Sequence, residues 1–194
     1  MRKISRFSVP ASVLGVVTLF AIAATVELAM GRKLWGVSGQ PGLWSSNVNS
    51  EHNSQYIFDP YTFSHMTHGI LLYGLLWVIA RRQPVRIRAV AAVAFECLWE
   101  IVENTDIVIR RYRAATISLH YYGDSVMNSM GDVLAAVSGF VLAALMPTVA
   151  TVIAVLALEF GLALWIRDSL LLNIIMLIHP VDAIRSWQQG GTPL

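Results

Sequence analysis

The sequence predicts an all-α membrane protein, a polytopic helix bundle of five spans followed by a short re-entrant or interfacial C-terminal helix. Three observations carry that prediction. Hydrophobic residues make up 56% of the 194 and charged residues only 13%, about half the charged share of a soluble domain. The mean hydropathy is +0.59. The apolar residues also gather in stretches of about 20, the length that crosses a hydrocarbon core of about 30 Å. The length suits one domain, 1–194. A lone cysteine, Cys97, excludes an internal disulfide or a cysteine-based metal site. A formal net charge of +2 without any long basic run argues against nucleic acid as a partner. Membrane lipid is the expected partner.

The first span is read over Phe7 to Val26, an uncharged stretch behind a basic leader of Arg2, Lys3 and Arg6. A cleaved signal peptide is the competing reading, since Ala21, Ala23 and Ala24 are small. The stretch is longer than the roughly 7–15 apolar residues of a signal h-region, which favours an uncleaved span. Residues 31–61, rich in Gly, Ser and Asn and carrying Trp35 and Trp44, read as an extramembrane loop near the headgroups. Pro60 to Ala80 is the second span, closed by Arg81 and Arg82. The third runs from Ile87 to Thr105 and is interrupted by Glu96, Glu100 and Glu103. Between Asp132 and Glu159 lie 26 uncharged residues broken at Pro147. Proline disrupts a helix interior, so this stretch divides into a fourth span over 125–146 and a fifth over 149–167. Leu170 to Ile178 is apolar but too short to span.

Orientation is read from basic residues in short loops. With the N-terminus in the cytoplasm, seven (Arg2, Lys3, Arg6, Arg81, Arg82, Arg86, Arg88) lie inside and six (Arg32, Lys33, Arg110, Arg111, Arg113, Arg167) outside. The margin is narrow and favours a cytoplasmic N-terminus. Three outward arginines in one short segment run against the usual bias, which points to another task for them.

Polar residues gather at one end of the bundle. His65 and His68 start the second span, Glu100, Glu103 and Asn104 end the third, and Asp124, Asn128 and Asp132 start the fourth. The second and third spans are antiparallel neighbours joined at 81–88, so these ends share the face opposite that turn. The fourth span begins where the connection from the third ends, on the same face. Within each set the spacing is helical: 65 and 68; 96, 100 and 103; 124, 128 and 132. Gly131, Ala135 and Gly139 accompany the last stripe, which suits close helix contact. Ionisable groups within spans normally face a bundle interior and mark function.

Two histidines with several carboxylates suit a divalent cation, the one cofactor the sequence suggests. His65, His68, Glu103 and Asp132 are the expected ligands, with Glu100 as a further ligand or catalytic carboxylate and Asp124 as general base. Asn104 and Asn128 support them. Arg110, Arg111 and Arg113 are expected to bind the anion of a lipid headgroup, since the guanidinium fork suits phosphate. The side chains of His65, His68, Glu100, Glu103, Asp124, Asn128 and Asp132 should line one cavity, with at least one of the three arginines at its rim. The competing reading is a structural network in which those arginines neutralise the carboxylates. Tyr112, Tyr121 and Tyr122 read as interface aromatics. His179 and Asp182 would join the site if their segment folds back. Cys97 reads as packing.

At Trp99-Glu-Ile-Val-Glu-Asn-Thr105, Arg111-Tyr-Arg113, Tyr121-Tyr-Gly-Asp-Ser125 and Asn128-Ser-Met-Gly-Asp132, the chain resembles a family of small alphaproteobacterial inner-membrane proteins. That family is grouped as a domain of unknown function. The His65-x-x-His68-Gly69 element fits as well. The resemblance implies a multi-pass protein of the bacterial inner membrane and assigns no activity. The Pro-Ser-Gly-His element of membrane phosphatidic-acid phosphatases and the His-x-x-x-His pattern of alkaline ceramidases are both absent. Two expectations follow. One is a metal-dependent hydrolase or transferase acting on lipid; the other is a non-catalytic protein that binds lipid or ions or assists membrane assembly. Five spans without internal symmetry argue against an ordinary secondary transporter.

Overall fold

The computed structural model describes residues 9–36, 39–118 and 120–190. The basic leader and the first residues of the expected first span lie outside them. The described residues form eight helices and no extended strand: α1 (Val9–Ala29), α2 (Thr62–Ala80), α3 (Val85–Glu103), α4 (Asp106–Ala115), α5 (Val126–Leu145), α6 (Thr148–Ile166), α7 (Leu170–Ile178) and α8 (Asp182–Gln188).

Four of these, α1, α2, α5 and α6, are long and apolar enough to cross a membrane. That is one fewer than the spans the sequence predicts, and α3 is the difference. At 19 residues it is as long as α2, but Arg86, Arg88, Glu96, Glu100 and Glu103 break its apolar character. It nevertheless lies inside the bundle, packed against α1, α2 and α5. Val93 and Cys97 of α3 meet Ala23 of α1 and Val133 of α5 in one buried cluster, and Ala92 meets Leu76 and Phe140 in another.

α5 is the central helix, buried along most of its length. Its backbone approaches α2 so closely that a side chain on Gly69 would collide with the Ala136 carbonyl, and one on Gly139 with the Met66 carbonyl. Gly131 meets the Ile57 carbonyl in the same way. The stripe of small residues is therefore the contact surface between α5, α2 and the segment leading into α2.

The third expected span divides at its end. Asn104 closes α3, and Thr105 caps a separate helix, its hydroxyl accepting from the Val108 amide. The 31–61 loop folds over the start of α5. The carbonyls of Ser54, Lys33 and Leu34 accept from the amides of Ser125, Val126 and Met127, groups that a helix cannot satisfy internally. Midway along the loop Trp44 stacks on Trp165 and meets Phe63 edge-on.

The glycine contacts predict an asymmetric response to substitution. Gly139→Leu overpacks the α2–α5 contact and should cost at least the roughly 1–3 kcal/mol typical of such insertions. Gly74 faces open space, so Gly74→Ala should meet no clash and gain about 0.5–1 kcal/mol from helix propensity. Thermal unfolding in detergent compares the two.

Candidate functional site

The polar ends of α2, α3 and α5 meet around His65, which is 7% exposed. Its Nδ1 lies 2.7 Å from Glu96 Oε1 and 3.1 Å from Glu100 Oε1, and its Nε2 lies 3.8 Å from Asp132 Oδ2. One turn on, His68 Nδ1 lies 3.0 Å from the same Glu96 oxygen. Glu96 thus bridges both histidines, while Asp132 approaches His65 from the opposite side of the ring. Thr62 orients Asp132 by donating to Oδ1 at 3.0 Å, and its hydroxyl accepts from the Asp59 amide. Asp59 in turn accepts from the amides of Ser54 and Tyr61, fixing the turn that launches α2.

Two triads offer ligand atoms that lie within 4.8 Å of one another: His65, His68 and Glu96, and His65, Glu100 and Glu103. His65 is common to both. Glu100 is fully buried; its Oε1 shares His65 Nδ1 with Glu96, and its Oε2 has no hydrogen-bond partner among the described residues. A buried carboxylate short of donors is costly, and a cation shared with His65 would relieve that cost.

A cavity of about 1110 Å³ opens beside this cluster. His65, His68, Glu103, Asp124 and Asp132 line it, as does Glu96. Glu100, Asn104 and Asn128 do not; they are buried behind the wall. Asn128 instead donates to the Tyr56 carbonyl and ties the loop to α5.

The arginines of α4 stand outside the cavity lining. Arg110, Arg111 and Arg113 are exposed and do not line the cavity. The reason is the register of α4: Ile109, Tyr112 and Ala115 form its buried face, and the three arginines fall outside that stripe. Arg111 donates to the carbonyls of Leu177 and Ile178 at the end of α7, and Arg113 lies over the Tyr122 ring. Arg32 and Lys33, from the segment after α1, line the cavity, and Arg32 donates to the Tyr122 carbonyl at 2.6 Å. His179 and Asp182 are exposed and stand outside the cavity.

Asp124 is held in a fixed orientation at the cavity wall. Tyr121 donates to its Oδ2 at 2.8 Å, Asn104 Nδ2 donates to the same atom at 2.9 Å, and the Asn104 side-chain Oδ1 accepts from the Asp124 amide at 2.7 Å. Burial pushes its carboxyl up to about 6, near the range that suits proton transfer at neutral pH. Tyr121 and Tyr112 are likewise raised well above the ordinary phenol value by burial. They belong to the site wall rather than to an interface belt.

Asp168 went unremarked in the sequence, yet it is completely buried between α6 and α7. Tyr61 OH donates to it at 3.2 Å, the Ser169 amide at 2.9 Å, Asn173 at 2.8 Å and Gln188 at 3.1 Å. These bonds gather α2, α7 and α8 around one carboxyl. The readable signal was Asp168-Ser169 ahead of an apolar run, a helix start.

Burial raises the Asp168 carboxyl from 3.8 to about 7. The folded state therefore holds this proton more tightly than the unfolded chain. Its contribution favours folding most below pH 3.8, declines as pH rises and levels off above about 7. Asp168→Asn should flatten the loss of thermal stability between about pH 5 and pH 8, measured against the parent in the same detergent.

Residues 27–190 match the family model described as "Protein of unknown function (DUF2585)". A UPF0314 protein of Sinorhizobium fredii is 47% identical over 91% of this chain and 88% of its own length. One from Paracoccus denitrificans is 47% identical over 88% of each chain. A third, from Sphingopyxis alaskensis, is 43% identical over 89% of this chain and 92% of its own. No solved structure matches. The chain belongs to this bacterial family of proteins of unknown function.

Proposed function

We propose that the chain is a multi-pass protein of the bacterial inner membrane that binds a divalent cation in its polar cavity and acts on an amphiphile as a metal-dependent hydrolase or transferase. In this reading α3 is the fifth span. Its packing against α1, α2 and α5 supports that, as does the burial of Glu96 and Glu100 away from lipid. A cytoplasmic N-terminus would put the polar face on the outer side.

The observation that carries the cation is the convergence of His65, His68, Glu96, Glu100 and Glu103 from two helices, with Asp132 facing His65 from a third. The ion pairs of this cluster run to histidine, and its carboxylates outnumber those histidines. An uncompensated buried charge is strongly destabilising, so protons or a cation must balance the excess. A bound ion would supply Lewis acidity and a hydroxide from water at neutral pH. Glu100 is sealed from the cavity, which makes it a ligand rather than a base. Asp124 borders the cavity with its orientation set by Tyr121 and Asn104, and takes the role of general acid or base. Arg32 and Lys33 supply positive charge at the cavity wall, while Arg110, Arg111 and Arg113 offer anion sites outside it.

The sealing of Glu100 also favours a second reading, in which the cation only holds lipid or helices together without bond-making. Metal content separates these readings from a metal-free network. Protein purified without chelator should carry about one manganese or zinc ion per chain. His65→Ala and Glu96→Gln should lose it, and Asp124→Asn should keep it. Saturating metal at 100 times Kd should add about 2.7 kcal/mol of stability. No stoichiometric ion, together with a Glu96→Gln protein more stable than its parent, would overturn the cation. Once a turnover assay exists, Asp124→Asn that binds metal and retains full rate would leave only the non-catalytic reading.

A further inference from the structure

The cavity is polar at one end and apolar at the other. Along α2 its wall passes from Ser64, His65 and His68 to Leu71, Leu72 and Leu75. Residue 75 stands about 10 Å deeper than residue 68, at 1.5 Å per residue. From α3, which runs the opposite way, Glu103, Trp99 and Glu96 line the cavity nearer the helix end, and Phe95 is the deepest lining residue. This apolar arm is not closed off by the bundle. Leu71 is 51% exposed, Leu75 49% and Phe95 53%, so the arm reaches the outer, lipid-level surface of the helices. From α7, Ile174 and Leu177 also line the cavity.

We infer that the cavity takes a phosphate-headed amphiphile from the side: the head beside His65, Glu96 and Arg32, and one hydrocarbon chain along Leu71, Leu75 and Phe95. The head half of this inference rests on the cation proposed above, because carboxylates accept a phosphate only across a bound cation. The chain half stands on the arm. A water-soluble substrate has no use for an apolar groove open at bilayer depth, whereas a chain lying there keeps the direction it has in the leaflet. Pockets built this way, mostly apolar with a few convergent polar groups, fix a ligand's orientation by the polar end and gain affinity along the rest.

The test uses full-length protein in a phospholipid-free detergent. The probes are palmitoyl lysophosphatidic acid, glycerol 3-phosphate as the head alone, and manganese, each measured separately. Leu75→Trp and Leu71→Trp each obstruct the arm at a half-exposed position, so at least one should fold. The parent should bind about one lysolipid per chain, and glycerol 3-phosphate at least tenfold more weakly. Either variant should weaken lysolipid about tenfold and leave manganese binding unchanged. Equal binding of the two phosphates, no lysolipid binding by the parent, or full lysolipid affinity in a folded tryptophan variant would overturn the inference. Lysolipid bound without any manganese uptake would remove the cation reading alone and keep the chain in its arm.

Discussion

Glu96 is shared between His65 and His68, and the arrangement of the polar face depends on that sharing. One oxygen, 2.7 Å from one imidazole and 3.0 Å from the next, fastens α3 to the first turns of α2. With Glu96 so engaged, His65 turns its other nitrogen toward Asp132 of α5, and the three helices close around one ring. Removing a partner from such a buried set leaves a charge without compensation, which costs more than the pair itself contributes. The geometry that suits an ion is thus also what keeps the helix ends together.

The remaining elements enclose that face. The 31–61 loop supplies carbonyls to the first amides of α5, so one segment satisfies the helix and roofs the cavity together. Arg32 is brought to the cavity by the same fold-back. On the other side Asp168 collects donors from Tyr61, Asn173 and Gln188, fixing α7 where its apolar face can form a cavity wall. Arg111 secures the far end of α7. The cavity is therefore assembled from loops and short helices set on a rigid glycine-packed pair, α2 and α5.

Much of the polar cluster was legible because helical spacing and connectivity are local properties. Positions 65 and 68, and 96, 100 and 103, must fall on single faces, and a short turn at 81–84 must bring the start of α2 beside the end of α3. The role of Glu96 was within reach on the same stripe. It escaped because spacing alone does not say which of three carboxylates both histidines face. The direction of the α4 arginines was not legible for a related reason. Proximity in sequence to an acidic helix end does not fix which way they point; α3 ends at Asn104, and α4 turns its arginines outward, where Arg111 and Arg113 meet the cavity residues Leu177 and Tyr122.

By itself the sequence determined the helical class, the apolar segments, the break at Pro147 and the gathering of histidines and carboxylates at one end. Each follows from composition and period, which neighbours along the chain decide. The tertiary structure decided the rest. It set α3 inside the bundle despite its charges, because the carboxylates find histidines there. It chose Arg32 over the α4 arginines at the cavity and buried Asp168 beneath α7. It also separated Glu100, sealed away, from Asp124, open to the cavity. These outcomes depend on which side chains meet across elements distant in sequence, and no local pattern encodes such a meeting.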